Sequence, residues 1–585
     1  MSRPGASVQI RLACFLLAAI LGPALDSQAQ DLKSLMQQAF ALHQAGQFAD
    51  ALPLLHRAHA LDPNDYFVNL LLGIDSLRAG SPQTAFPYLK RAARLRPHED
   101  VPLGYLAEIY ARQQLYAEAV EAHLAAVNVS GGSEETAVAF VDFAAARFAS
   151  MSARLRSSKR GLAAEYRLRA LGLLDDVPAR LSNLQRAADL DDTAPGIWAD
   201  LAWAALAAHD AASAQDFIAK ALAADANDLH TWIADARLAA EQSNWKLAFE
   251  RLSAIAQRSP SQLSDALAEW PRTLLPPSSL AMSGSAAAFF ACVREADREC
   301  RLTLPHAVPV ASPERLFREQ RWELLSKSPI AANAPATSWL RRGIALAHLR
   351  NCTGAIPALE RAIQKSESDV YGMYQLSWCY SREAGLVADR VQHTQDDEES
   401  LHVMRGDILL RLQGKADLAL AEYRLATTTN SKDPALLERL AEAEFGAGQI
   451  ESAQEHAQAA LRIDSHRLGA ESTLAKIAMQ ERDYGTALPY LRDLVKSDPA
   501  DMTTRVDLGR AYAQTGALNE ALENLQSAIS HGYPDERGSL HSLLGTVLKK
   551  MGRDADAERA FTEAARLSDA FQQKSYRDQD SNAQP

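Results

Sequence analysis

The feature that most restricts this chain is a period of 34 residues. Ala51, Ala85 and Ala119 are spaced by that interval, as are Ala58, Ala92 and Ala126, and Pro63 and Pro97. Self-similarity at a fixed period means one supersecondary unit repeated, each burying its apolar face against the next. Within a unit, apolar residues recur twice at helical spacing. In YFVNLLLGIDSLRAG, Leu72-Gly73 and Leu77 recur at that spacing and Gly80 ends the helix; TAFPYLKRAARLRP then carries a second helix up to Pro97. Two antiparallel helices joined by a short turn come close only where the contacting residue is Gly or Ala, and a larger side chain there overpacks by about 1–3 kcal/mol. A proline after the second helix stops it and turns the chain into the next pair.

Leu-Gly in the first helix, an aromatic three residues on, then alanines and a closing proline: this pattern resembles the tetratricopeptide repeat. Units begin near Leu32, Tyr66 and Asp100, then near Pro195 and Leu229, and again from Ala336 through Val370, Ser400, Pro434, Leu468, Met502 and Gly538. With a weaker unit over Gly161 to Ala194 there are about a dozen. The expected fold class is therefore all-α, an α-α superhelical solenoid of 34-residue helix-turn-helix repeats with an irregular joint containing proline and cysteine. The expected organisation is a signal peptide over 1–29, a three-repeat arm over 32–133, a helical segment with related repeats over 134–262, the joint over 263–335, a C-terminal arm over 336–569 and a disordered tail over 570–585. The phase breaks at NVSGGSEE (Asn128 to Glu135) and before Ser400, in QHTQDDEES, interrupt the register.

The N-terminal residues read as an export signal. Arg3 and Arg11 precede the apolar run LACFLLAAIL, which is too short to span a bilayer, and Ser27-Gln28-Ala29 offers a small-x-small cleavage site between Ala29 and Gln30. No other run reaches 18 apolar residues, so no membrane span is expected in the mature chain. Lys and Arg total 61 against 73 Asp and Glu, a formal charge of −12. That balance, without a basic stripe, argues against a nucleic-acid partner. The expected location is the periplasm or the exterior of a bacterial cell, and an oxidising compartment pairs thiols.

Four of the five cysteines fall in the mature chain: Cys292, Cys300, Cys352 and Cys379. With no C-x-x-C, no H-E-x-x-H and no nearby histidine, a metal site is not expected. By the repeat pattern Cys352 opens a second helix and Cys379 sits late in the next first helix, places that antiparallel packing brings together, so these two are expected to form a disulfide. A Cys292–Cys300 bridge is the companion expectation and needs a helix break, since eight helical residues span about 12 Å. Four buried reduced cysteines are the alternative.

Neither phosphate-binding, hydrolase nor calcium-loop motifs occur, and no cofactor is implied. Function is then expected from shape, because the first helices of stacked pairs line a concave surface. The resemblance implies groove positions at Met36, Phe40, Leu70 and Ile74, at Trp203 and Leu206, and at Tyr371, Tyr374 and Trp378; core packing is the alternative for the last three. Met36, Phe40, Leu70 and Ile74 lack the Lys and Asn of the family's two-carboxylate clamp. The leading expectation is a non-catalytic scaffold of the bacterial envelope that binds peptide or protein segments. The alternatives are an accessory factor for envelope polymer export or outer-membrane assembly, and an enzyme with its site in the 263–335 joint.

Overall fold

The computed structural model describes residues 27–276 and 312–582, apart from 157, 172, 174–175, 269, 272, 367–368, 393–397, 413, 428–432, 500 and 536. Among the described residues 29 α-helices and one π-helical turn follow one another, and no strand occurs. The signal segment up to residue 26 and the pair Cys292 and Cys300 lie outside the described residues. Ala29 and Gln30 fall in the opening turn of the first described helix, Ser27–Gln44.

The hairpins are built as the period requires. Ala51, Ala58, Ala85, Ala92 and Ala119 are fully buried. Where Ala336–His348 crosses Cys352–Lys365, a Cβ on Gly343 would stand 2.5 Å from Leu359 Cγ. The same meeting recurs where Met502–Thr515 crosses Leu518–Ser530, with Gly509 against Leu525 at 2.9 Å. A side chain at either glycine would force the facing leucine to move. Several first helices start on aspartate caps, as where Asp65 accepts from the Val68 amide at 2.8 Å and Asp501 from the Thr503 amide at 3.0 Å; each cap satisfies an amide the helix cannot.

The stack, however, does not run as one open curve. The helices Tyr116–Val129, Glu134–Leu155 and Lys159–Leu171 pack against Cys352–Lys365, Val370–Gln392 and Glu398–Asp407. One apolar core joins them, from Val120 and Phe140 to Tyr380 and Val391. From Lys159 the described helices leave this hub through successive hairpins and come back to it at Val370–Gln392, which contacts Lys159–Leu171, so a ring closes. The two longest helices of the hub, of 22 and 23 residues, are Glu134–Leu155 and Val370–Gln392. Each abuts a break in the 34-residue register, so the breaks mark where the chain abandons simple stacking to fold back.

Buried charges lock the hub. Arg147 donates to both Glu360 oxygens at 3.0 and 2.8 Å, and the Tyr380 hydroxyl donates to the same carboxylate at 2.8 Å. Arg439 bridges Asp407 at 2.8 Å and Asp142 at 2.9 Å. Burial disfavours the Asp407 charge, but Arg439 and Arg411 outweigh it and hold its carboxyl below the usual range.

At the expected joint, the described flanks form the helices Pro260–Ala268, Pro313–Arg318 and Trp322–Lys327. Polar bonds knit them into the ring. Ser261 donates to Glu323 from its hydroxyl at 2.6 Å and its amide at 3.0 Å. Gln320 accepts from the Leu229 amide at 2.9 Å and donates to Asp225 at 3.0 Å. Against the expectation of a disordered tail from 570, the last helix continues as Asp554–Asn582; that stretch contains neither proline nor glycine to stop it.

Candidate functional site

Inside the ring lies a hollow of about 1190 Å³. Its walls come from the inward faces of Lys159–Leu171, Ile197–Ala207, Leu229–Glu241, Ala336–His348 and Val370–Gln392, with the short helices near residue 320 across from them. Four of the expected groove residues, Trp203, Tyr371, Tyr374 and Trp378, line it. Tyr374 lines the hollow but is also a packed residue, only 7 % exposed.

Each of these rings is held in place. Gly196, in the left-handed region at φ 80°, caps Ile197–Ala207 and sits beside Arg167, where an added Cβ would stand 3.4 Å from Nη2. Arg167 then reaches Asp200 at 2.9 and 2.6 Å and the Pro195 carbonyl at 2.9 Å. Its guanidinium covers the Tyr374 ring at 4.3 Å, which joins the first and last helices of the ring by a cation–π contact. Tyr371 stacks beside Tyr374 at 6.2 Å and accepts from Gln375 at 2.9 Å. Burial pushes both phenols above their ordinary range. Trp203 stacks on His230 at 5.5 Å and donates to the His230 carbonyl at 3.3 Å. Arg382 stands 6.0 Å from the centre of the Trp378 ring.

The opposite wall is aromatic as well. Trp322 lies parallel to His348 at 4.6 Å, and burial pushes the His348 imidazole down to about 4. Trp270 donates to the Leu274 carbonyl at 2.8 Å. Sequence reasoning passed over Trp198, Trp270, Trp322, Arg167 and His348, all of which line the hollow. A signal was there: all eight tryptophans of the chain fall between Trp198 and Trp378, within the segment that forms the ring.

The expected groove positions of the first arm are different. Leu70 and Ile74, each 2 % exposed, and Met36 belong to the arm's apolar core, and Leu206 is buried too. The cause is local: every residue from Tyr66 to Leu77 is buried, and a helix buried on all sides has no face to offer a groove. Phe40 is half-buried and stacks on His43 at 6.0 Å. Cys352 and Cys379 do meet, with Sγ atoms 2.8 Å apart in the hub core, as two free thiols.

Comparison with known proteins gives the class. Residues 478–545 match the family model described as tetratricopeptide repeat. That stretch is built of tetratricopeptide repeats, and the described helical hairpins outside it follow the same plan. No curated protein matches it. Among solved structures it is similar to residues 41 to the end of MamA from Desulfovibrio magneticus RS-1, at 23 % identity over 30 % of this chain and 97 % of that one, with a TM-score of 0.26. It is also similar to YrrB, a repeat protein described as having an unusual peptide-binding site, at 16 % identity over 33 % of this chain and 96 % of that one, with a TM-score of 0.28.

Proposed function

We propose that this chain is a non-catalytic scaffold of the bacterial cell envelope, and that its closed ring receives a segment of a partner protein. The observation that carries this reading is the concentration of aromatic side chains in one hollow: five of the eight tryptophans line it. Immobilised aromatic rings supply contact area at small entropic cost and are the residues that most often anchor interfaces. Envelope residence is supported by the sequence alone, through the signal-like start. The Cys352 and Cys379 thiols, adjacent and buried, are on this reading a disulfide clasp between two hub helices; peptide mapping without reductant should recover them linked, and two free thiols in protein purified from the envelope would refute it.

The receptor reading is tested by placing a photo-reactive amino acid at Trp203 or Trp378 of the full chain and exposing it to envelope extract. Cross-linking to one defined protein segment is expected at both positions and not at Leu418, an exposed residue of the C-terminal arm. No adduct inside the ring, or equal labelling at Leu418, would count against it.

A further inference from the structure

We infer that the segment held in the ring is acidic. This rests on reading the hollow as a receptor for a protein segment, and it concerns the charge such a segment must carry. Six arginines and five aspartates line the hollow, without lysine or glutamate, so the wall is net positive on a chain whose formal charge is −12.

The aspartates are already engaged within the chain. Asp200 holds Arg167, and Asp225 accepts from Gln320 at 3.0 Å. Asp228 accepts from the Thr231 amide at 3.1 Å, Asp369 accepts from the Gly372 amide at 2.7 Å, and Asp265 lies 3.8 Å from Arg350. The arginines are not all matched. Among the described residues, Arg180, Arg318 and Arg382 have no carboxylate partner, and Arg382 Nε is buried without an acceptor. Asp225, Asp228 and Asp369 bond to neutral donors and keep their charge, so the lining carries an excess of one positive charge, with Arg180, Arg318 and Arg382 the guanidinium groups left to meet a ligand.

A planar guanidinium beside an indole suits a carboxylate whose neighbour on the ligand is apolar. Between the arginines the wall offers apolar surface at Leu171, Ile233, Leu340 and Ile344, beside polar Asn227, Gln262 and Gln375. The wall thus favours a peptide in which Asp or Glu alternates with Leu or an aromatic. Positive potential focused in a cleft would also draw such a segment in against the negative charge of the whole chain.

The test is selection of a random twelve-residue display library on the full chain, read as enrichment of Asp and Glu over Lys and Arg. Acidic enrichment is expected, and the strongest acidic peptide should bind the Arg180→Ala/Arg382→Ala double variant at least tenfold more weakly while the thermal midpoint holds. Neutral or basic winners, or acidic winners indifferent to the double variant, would overturn the charge inference and leave the receptor reading standing. No enrichment at all would sink both, as would quenching of tryptophan fluorescence by an oligouronate when no peptide binds.

Discussion

The first arm and the ring use the same hairpin to opposite ends. In the arm, the inward positions of Tyr66–Arg78 are aliphatic and buried; in the ring, corresponding helices carry Trp203, Tyr371 and Trp378 and leave a hollow between them. The difference in side chains goes with a difference in what holds each part together. The arm is an apolar core with one local buried pair, His43 with Asp75 in the neighbouring hairpin, and its other ion pairs sit nearer the surface, such as Glu108 with Arg112 at 2.6 Å. The ring depends on a hub where buried charges tie residues more than 200 positions apart, as Arg147 is tied to Glu360. A short repeat can thus serve as filler or as receptor, depending on whether its chain is brought back upon itself.

The contrast breaks most visibly if the hub is unlocked. Glu360→Ala leaves Arg147 buried without its partner, which should cost about 3–5 kcal/mol in denaturant unfolding and speed amide exchange in 352–392 ahead of the arm. A loss confined to a few tenths would mean the hub does not depend on this pair. Next in size is acid sensitivity. Burial alone pushes His123, in the hub against Phe143 at 4.8 Å, down to about 4. The folded state therefore prefers the neutral ring, and its contribution is complete above the unfolded value of about 6.5. Stability should fall as pH drops from there towards 4, by about 3 kcal/mol from this group, and His123→Phe should flatten that decline in a pH series of melting curves. Smallest is the matched deletion in the arm. Glu108→Ala removes an exposed pair and should cost under about 1 kcal/mol; a cost equal to that at Glu360 would erase the distinction between the two regions.

How much of this could be read from the chain follows from the range of the contacts. The alanine positions and the Gly343 and Gly509 crossings were legible because each contact lies within one 34-residue unit. The ring was not, since Arg147 meets Glu360 and Asp142 meets Arg439 across distances that leave no periodic trace. The family's groove positions fall on Leu70 and Ile74 here, but the Tyr66 helix is buried on every side. At Trp203, Tyr371 and Trp378 the corresponding positions carry large rings that line the hollow. The clustering of tryptophan and the two register breaks were the local signs of the ring.

The central claim is that the chain closes on itself, and Glu121 reports on it directly, because it lies 2.8 Å from Arg361, 240 residues away in sequence. A photo-reactive residue in place of Glu121 in the full chain, followed by peptide mapping of the monomer, should give adducts in the helix Cys352–Lys365. Adducts confined to neighbouring hairpins of the first arm would show an open stack and contradict the account.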